Sequence, residues 1–360
     1  MPNDRRYLAA YDMMRARYEH APKRLSFVDG TAFDAWKARF KQKVVELIGP
    51  FPEIVPLNIE VLEELIIDDF IDAGIEPFFQ RKIIFDTEPF GSCVAYLLVP
   101  SGIKQGERRP GIVCAHGHGS GKQQMIGFDP TTWQAKNGSP PGLPNFEAAA
   151  LHLVKIGYVV IAPDWRAFGE RALDPVYTRP GRDPCNVLHM SFGYFGFTLL
   201  GLNVWDAMRS IDVLQSLPEV DPARIGMMGK SYGGTMTTYT TALDDRIKAA
   251  CISGYLSTLD DAMSRRALGN YCGAQYLPGL LEWGDIPDVV GLIAPRPLLI
   301  EAGKRDTCFV FPDTTKAYDQ LARIYAAAGH LECLDRDVAD VEHESIFNKL
   351  PGFFARHLGT

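Results

Sequence analysis

The 360-residue sequence predicts an α/β fold with a doubly wound, mostly parallel sheet. The prediction rests on short, almost wholly apolar runs, which are typical of strands covered on both faces. These runs alternate with longer segments whose apolar residues recur every three or four positions, as in helices that pack on a sheet. Three connections are long, and we expect these loops to lie over the carboxyl ends of the strands, where such sheets bind ligands.

Residues 1–77 are predicted to form a helical extension, and residues 78–360 the main domain. The helical pattern is clearest after Thr31, where five apolar residues recur at helical spacing before Gly49-Pro50 ends the helix. They are Phe33, Trp36, Phe40, Val44 and Leu47. No residue of this extension stands in a pattern that indicates chemistry, so we expect a packing role.

An antiparallel hairpin is expected next, with strands at 80–85 and 93–99. The buried strands are then predicted at 111–115, 158–162, 225–228, 249–253 and 297–302, with a last short strand at 331–335. Helices are predicted at 146–156, 198–217, 232–243 and 312–328. The long connections are 119–145, 168–197 and 255–294.

Composition and charge exclude several classes of protein. The formal net charge is −7 and the basic residues are dispersed, which argues against a nucleic-acid partner. No apolar run approaches the roughly 20 residues that cross a bilayer, and the N-terminus does not resemble a secretory signal. The seven cysteines include no Cys-x-x-Cys pair, which is typical of free thiols in a reducing compartment. We therefore expect a cytoplasmic protein without nucleic-acid or membrane partners, and a homo-oligomer stays open.

The candidate nucleophile is Ser231, in the pentapeptide Gly229-x-Ser231-x-Gly233 between a predicted strand and a predicted helix. A serine on such a sharp turn presents its hydroxyl clear of the chain, and the glycines let strand and helix approach each other. The same residues could end a phosphate-binding loop, but that loop needs a glycine where Arg224 stands. The charge of Lys230 is expected to face solvent or to form a surface ion pair.

A glycine-rich turn, His116-Gly117-His118-Gly119, follows the strand predicted at 111–115. Acyl transfer needs backbone N–H donors aimed at the developing oxyanion, and such a turn can supply one. We expect the N–H of Tyr232 to be one donor and that of His118 or Gly119 to be the other. Two histidines at this spacing could instead bind zinc. No carboxylate or cysteine stands nearby at a ligand spacing, so no metal is expected.

The predicted acid is Asp306, which directly follows the strand at 297–302. A carboxylate at a strand end can orient an imidazole ring and stabilise its charged form. Asp313 and Glu301 are weaker rivals for this role.

The predicted base is His343, on the loop after the last strand, from which a side chain can reach over the sheet to the serine. The other late histidine, His330, follows a helix end, where a capping or charge role suffices. The candidate catalytic residues are therefore Ser231, Asp306 and His343, in the order nucleophile, acid, base.

Five residues near the predicted strand ends are candidates for substrate binding. Arg166 could hold an acidic group, although pairing with Asp164 to fix a loop is the simpler expectation. The aromatic candidates stand in the long connections and could line an acyl or sugar pocket. The five are Gly119, Trp133, Arg166, Tyr194 and Trp283.

These residues together resemble the α/β-hydrolase superfamily over roughly residues 78–358, and more narrowly its dienelactone-hydrolase and acetyl-xylan-esterase-like branch. The motifs that carry the resemblance are His116-Gly117-His118-Gly119, Asp164-x-Arg166-x-x-Gly169-Glu170-Arg171, Gly229-x-Ser231-x-Gly233-Gly234, Tyr276-x-Pro278-Gly279, Ala294-Pro295-Arg296-Pro297-Leu298-Leu299, Gly303-x-x-Asp306 and His343-Glu344. The resemblance implies an α/β-hydrolase fold with residues 78–360 as the catalytic domain. It also implies hydrolysis of small esters, often of acetylated sugars, without a metal or other cofactor.

The resulting hypothesis is a serine hydrolase that cleaves small carboxylic esters by two-step acyl transfer, with acetyl esters of sugars as candidate substrates. Two alternatives stay open from the sequence. One is a peptidase or amidase with the same three catalytic residues. The other is a catalytically silent binding protein with a hydrolase fold.

Overall fold

A computed structural model describes residues 9–68, 74–126, 148–172, 183–264 and 271–360 of the chain. Predictions that fall on other residues lie outside the described part, among them Trp133 and most of the connection at 119–145. None of the helices in these described ranges is both long and apolar enough to span a bilayer.

Nine strands, numbered in chain order, make up the sheet of the described residues. They are β1 (Glu60–Ile67), β2 (Phe78–Glu88), β3 (Gly91–Pro100), β4 (Arg109–Ala115), β5 (Val159–Pro163), β6 (Val220–Lys230), β7 (Ile247–Ser253), β8 (Leu298–Gly303) and β9 (Leu334–Ala339). Their spatial order is β1-β2-β3-β5-β4-β6-β7-β8-β9. The six neighbouring strands β5, β4, β6, β7, β8 and β9 are parallel. Strands β1, β2 and β3 form antiparallel pairs at one edge of the sheet. This arrangement confirms the predicted fold class, and the β2–β3 pair confirms the hairpin.

Helices flank this sheet in the order that the sequence predicts. They are α1 (Ala10–Glu19), α2 (Phe33–Ile48), α3 (Gln123–Ile126), α4 (Ala149–Lys155), α5 (Pro184–Gly193), α6 (Leu199–Ser216), α7 (Tyr232–Leu243), α8 (Asp260–Ser264), α9 (Ile286–Gly291), α10 (Phe311–Ala327) and α11 (Leu350–Leu358). The helix predicted at 232–243 begins and ends as predicted, in α7. The helices predicted at 198–217 and 312–328 are found in α6 and α10 within one residue at each end.

Two apolar cores lie on opposite faces of the sheet, because successive side chains of a strand point to opposite faces. On β4, Val113 belongs to one core and Ile112 to the other. The first core also contains apolar side chains of α2, α6, α7 and α10, and the second contains those of α4 and α11. The continuous apolar runs therefore reflect strands that are buried on both faces, as predicted.

The candidate site lies where the direction of the strand order changes. From β4 the chain moves outward to β5, and it then returns past β4 to β6. The carboxyl ends of β4 and β6 are consequently neighbours, with Ala115 paired to Gly229. Parallel sheets bind their ligands at such a switch point. Here it places the turn that begins at His116 beside the pentapeptide around Ser231.

The N-terminal segment is helical only in part. Helices α1 and α2 are present, but Glu60–Ile67 form β1, which pairs with β2, so the helical prediction is wrong for these residues. The register shifts between Val61 and Glu63, and this bulge interrupts the alternation that identifies a strand. Three glutamates also stand on this exposed edge strand. The boundary at residue 77 stays a prediction.

The last strand begins later than the sequence indicates. The prediction places it at 331–335, whereas β9 spans Leu334–Ala339. Residues Leu331–Cys333 form a short 3-10 turn instead, which reverses the chain after α10 before pairing with β8 can begin.

Candidate active site

Ser231 stands on a sharp turn between β6 and α7. Its backbone has φ 59° and ψ −119°, a conformation that is strained for a residue with a side chain. A Cβ on Gly233 would come within 2.1 Å of the Ala115 carbonyl oxygen, and one on Gly229 within 2.5 Å of the Gly233 backbone. Both positions therefore require glycine, as the pentapeptide predicts. The turn presents the serine directly before α7, at its N-cap position, where helix N–H groups lack partners within the helix.

The glycine-rich turn after β4 lies against this serine. A Cβ on Gly117 would be 3.3 Å from the Lys230 carbonyl oxygen and 3.7 Å from the Ser231 Cβ. The turn therefore packs closely against the residues that carry the serine, and a side chain at Gly117 would crowd the Lys230 carbonyl group. His118 lines the same cavity as Ser231, while the Tyr232 ring is buried and packs against Phe168 with the two rings tilted by 35°. Tyr232 can therefore contribute to this site through its backbone N–H.

His116 supports the turn from inside the protein. Its Nε2 accepts the Trp165 N–H at 3.1 Å, and its Nδ1 lies 2.7 Å from the Gly117 carbonyl oxygen. These contacts assign the neutral ring with the proton on Nδ1. Burial lowers the pKa of His116 to about 4, so the ring is uncharged at neutral pH. His116 is a fixed structural link between the turn and the loop after β5.

Asp306 and His343 are hydrogen-bonded to each other beyond the ends of β8 and β9. The Nδ1 atom of His343 lies 2.8 Å from Oδ2 of Asp306, so the ring N–H donates to the carboxylate. The other carboxylate oxygen accepts the backbone N–H groups of Cys308 and Phe309, at 2.7 and 2.9 Å. The Asp306 side chain is 3% exposed, compared with 23% for His343. The structure therefore brings together the two residues predicted as acid and base.

The residues that sequence reasoning ranked lower have other partners. Asp313 accepts a hydrogen bond from Lys316 at 3.0 Å on the first turn of α10. His330 lies 3.1 Å from Glu332 on the surface. Neither is bonded to His343, so neither offers an alternative acid–base pair.

Glu301, the other rival for the acid, fixes the loop that carries His343. It is buried in β8, and its two carboxylate oxygens accept the N–H groups of Phe347 and Ile346 at 3.0 and 3.3 Å. Burial raises the pKa of this carboxyl. Its role here is to anchor the backbone that follows His343.

Lys230 makes a contact that was not predicted. Its ammonium group is half-buried and donates to the backbone carbonyl oxygen of His343, 3.2 Å away. The residue before the serine therefore holds the loop of the histidine. Sequence reasoning missed this contact because it joins residues 113 positions apart.

A cavity of about 160 Å³ opens at these residues. It contains both Ser231 and His343, together with the turn after β4. The described residues that line it are Ala115, Gly117, His118, Gln124, Met125, Ala149, Met228, Lys230, Ser231, His343 and Ser345. Gln124 and Ser345 were not predicted, and their only signal in the sequence is that they closely follow His118 and His343.

Arg166 is not placed at this cavity. Its guanidinium makes two hydrogen bonds of 2.9 Å to Asp206 of α6, and it also bonds Glu88. Burial alone would raise the pKa of Asp206, but Arg171 and Arg166 lower it to about 2. The expected pairing of Arg166 with Asp164 is wrong. Arg166 joins β2, α6 and the loop after β5.

Asp164 is instead held by Lys122, which stands just before α3. The Lys122 ammonium lies 2.7 Å from one carboxylate oxygen, and its backbone N–H donates to the other at 2.6 Å. The side chains of both residues are almost completely buried. This ion pair joins the segment after the glycine-rich turn to the loop after β5, and so holds the turn against that loop.

Replacing Arg166 by methionine is expected to lower the free energy of unfolding by about 3 kcal/mol, because Asp206 and Glu88 stay buried with fewer cationic partners. Urea denaturation followed by circular dichroism measures the change. Arg305→Met is the matched control, since Arg305 pairs with Asp340 on the surface and its loss should change stability by about 0.5 kcal/mol or less. If Arg166→Met left the stability unchanged but weakened substrate binding, Arg166 would instead be a substrate-binding residue.

The other predicted substrate residues are also outside the cavity lining of the described residues. Tyr194 is 94% exposed at the end of α5. The ring of Trp283 packs under the cationic groups of Arg24 and Lys43, away from Ser231. Gly119 adjoins the lining residue His118 but is exposed. Trp133 lies outside the described residues.

Comparison with known proteins agrees with this architecture. The sequence profile of the Abhydrolase family matches residues 2–335. The Bacillus subtilis (strain 168) protein named "Putative hydrolase YtaP" is 26% identical over 303 residues, which cover 82% of this chain and 90% of that protein.

Two solved structures show the same fold. The "putative acetyl xylan esterase" of Bacteroides fragilis NCTC 9343 has a TM-score of 0.73 at 20% identity, covering 94% of this chain and 84% of that chain. A glucuronoyl esterase from Solibacter usitatus has a TM-score of 0.64 at 14% identity, covering 92% and 96%. Because the family profile spans most of the sequence, and the sheet order and the serine turn agree with it, the chain belongs to the Abhydrolase family of α/β-hydrolases.

Proposed function

We propose that the protein is a serine esterase that hydrolyses small carboxylic esters through an acyl-enzyme. One observation carries the proposal. Ser231, on a strained turn at the start of α7, faces the same cavity as His343, whose ring is hydrogen-bonded to the buried Asp306. A nucleophile, a base and an orienting carboxylate in this relation are the requirements for nucleophilic acyl transfer.

In the first step the Ser231 hydroxyl oxygen attacks the ester carbonyl. Because Nδ1–H of His343 donates to Asp306, the other ring nitrogen, Nε2, carries a lone pair and accepts the hydroxyl proton. The carboxylate of Asp306 stabilises the charged ring. The N–H groups of Tyr232 and His118 hold the oxyanion, and the N-terminus of α7 adds a favourable dipole. The alcohol then leaves with the proton from Nε2.

In the second step a water molecule takes the place of the alcohol. His343 accepts a proton from the water, which attacks the acyl group on Ser231. When the second tetrahedral intermediate collapses, its bond to the Ser231 oxygen breaks, that oxygen takes the proton from Nε2 of His343, and the acid is released. Asp306 holds the ring in one tautomer throughout. No metal takes part in either step.

Lys230 is expected to act as a positioning residue in this reaction, because its ammonium fixes the backbone of His343. Lys230→Met should lower kcat by about tenfold, the kinetic equivalent of losing one charge-assisted hydrogen bond, with a smaller change in KM. Steady-state kinetics with p-nitrophenyl acetate measure both constants. Lys248→Met is the control, since Lys248 donates to a backbone carbonyl on the exposed surface. An effect on KM alone would contradict the positioning role.

A small acyl group is the substrate feature that the cavity favours. Its volume of about 160 Å³ is below the roughly 300 Å³ at which pockets for larger ligands begin. The similar structures named for acetyl xylan and glucuronoyl ester cleavage also suggest a carbohydrate ester. We therefore infer that acetyl esters of sugars are the preferred substrate class.

A panel of esters tests this proposal. With p-nitrophenyl acetate, butyrate and octanoate, kcat/KM is expected to fall with chain length, by at least about tenfold from acetate to octanoate. Acetylated xylo-oligosaccharides and methyl glucuronate then distinguish acetyl transfer from cleavage of a sugar methyl ester. Faster cleavage of peptide anilides than of esters would favour a peptidase. Absence of turnover by a folded protein would favour a binding function.

A further inference from the structure

A second group of reactive side chains lies beside the glycine-rich turn, and the reaction above does not use it. One ring nitrogen of His118 and the sulfur atoms of Cys185 and Cys272 all lie within 4.8 Å of one another. The carboxylate of Asp183 joins them, with Oδ2 3.0 Å from the His118 Nε2. Three segments that are far apart in the sequence therefore bring one imidazole and two thiols together, and the carboxylate lies against the imidazole and the Cys185 thiol, with Oδ1 2.9 Å from that sulfur.

Two of the separations between these atoms are close to those of ligands around a tetrahedral zinc ion. Bonds of about 2.0 Å to nitrogen or oxygen and about 2.3 Å to sulfur place N and O ligands about 3.3 Å apart, and N and S ligands about 3.6 Å apart. The corresponding distances are 3.0 Å from His118 to Asp183 and 3.8 Å from His118 to Cys185. The Cys272 sulfur lies within 4.8 Å of both the His118 nitrogen and the Cys185 sulfur.

The surroundings of the cluster hold its ligand atoms in place. The Asp183 Oδ1 accepts the N–H of Cys185 at the start of α5, which turns Oδ2 towards His118. The sulfur of Cys272 accepts the backbone N–H of Gln275, and such donors favour a thiolate over a thiol. The two cysteine segments are joined directly, because the Gly273 N–H donates to Asn186 at 2.6 Å. These contacts resemble the outer partners that orient metal ligands.

We propose that His118, Asp183, Cys185 and Cys272 form a structural zinc site. Two thiolates, one imidazole and one carboxylate make a donor set that suits Zn²⁺, and four protein ligands leave no open position for substrate. On binding, Zn²⁺ replaces the thiol protons of Cys185 and Cys272, which pass to solvent. The carboxylate and the neutral Nε2 complete the coordination.

The site would fasten the glycine-rich turn to α5 and to the segment at 271–275. His118 belongs to both the cluster and the cavity, so the metal would fix the backbone that carries one proposed oxyanion donor. This consequence rests on the proposed function. The metal site itself does not, because it is defined by the four ligands alone.

Metal analysis of the full-length protein tests the proposal. After gel filtration in metal-free buffer, elemental mass spectrometry is expected to find about one Zn²⁺ ion per chain. Cys185→Ser and Cys272→Ser should each abolish the bound zinc. Cys333→Ser, which removes a thiol from the exposed group of His330, Glu332 and Cys333, should retain it. Zinc that persists in both cluster variants, or that is lost only with Cys333, would overturn the assignment.

A second measurement uses the unmodified sequence, so it does not depend on how the variants fold. After chelation, the protein is loaded with Co²⁺, and thiolate-to-cobalt charge-transfer absorption is expected, because cobalt adopts the same ligands. Chelation should also make two more thiols reactive. A disulfide between Cys185 and Cys272, or protein purified and reloaded without any bound metal, would contradict the proposal. Esterase activity is not a readout of this experiment, so its outcome is distinguishable from that of the proposed function.

Discussion

Ser231→Ala is expected to lower kcat for p-nitrophenyl acetate by about 10⁴- to 10⁶-fold while the protein remains folded. The serine hydroxyl supplies the only oxygen nucleophile of the proposed first step, so its loss leaves just oxyanion stabilisation and binding. Alanine is compatible with the turn, because the strain at φ 59° is that of any residue with a Cβ. Rates are measured in steady state, and circular dichroism with thermal denaturation verifies the fold.

The matched control is Ser345→Ala, which removes the other serine hydroxyl that lines the same cavity. This variant should retain most of the activity, since Ser345 has no covalent role in the proposed reaction. Equal losses in the two variants would indicate that the cavity, and not the nucleophile, is affected. Full activity of Ser231→Ala would refute the assignment of the nucleophile.

The second large effect is expected for Asp306→Asn, at about 10⁴-fold in kcat. The amide can still accept the N–H groups of Cys308 and Phe309 through its oxygen, so the turn should persist. Its NH₂ group, however, would face Nδ1 of His343 and favour the tautomer with the proton on Nε2. The base could then no longer accept the proton of Ser231.

Asp313→Asn is the control for this substitution, because Asp313 is also a buried carboxylate near the start of α10 but is bonded to Lys316. Its loss should change kcat little. The pH profile adds a specific readout: Asp306→Asn should alter the pH dependence of the residual activity, whereas a purely structural defect would leave its shape unchanged. A larger effect at Asp313 than at Asp306 would place the acid elsewhere.

The interior of the sheet was predictable because its strands are buried on both faces. Continuous apolar runs such as those of β4 and β7, when helical segments separate them, indicate buried parallel strands. Strand β1 was missed for the opposite reason. It is an exposed edge strand with a bulge near Leu62, so neither burial nor alternation marks it. An edge strand pairs with a single neighbour, and its own sequence contains little of the pattern that predicts a strand.

The candidate site was predictable where a local motif dictates the backbone. The glycines around Ser231 are needed because carbonyl groups approach them too closely for any side chain. The approach of Asp306 to His343 followed from their order along the chain and from the shared edge of parallel strands. The first prediction depends on close backbone contacts within a few residues. The second depends on which strands end at the same edge of the sheet.

Partners that depend on side-chain packing could not be predicted in this way. Arg166 bonds Asp206, which stands on α6 and not beside it in the sequence. Lys230 reaches the loop of His343 only because that loop folds back over β6. The cluster at His118 joins ligands 65 or more positions away, so sequence spacing gave no indication of a metal site.

Covalent labelling tests the central claim, that Ser231 is the nucleophile, most directly. The protein is treated with a fluorophosphonate, digested with trypsin and analysed by mass spectrometry, in parallel with Ser231→Ala. We predict one modified peptide, residues 231–246, with the adduct on its first residue, and no labelling of the variant. A label that persists in Ser231→Ala, or an adduct on another residue of the native protein, would contradict the assignment.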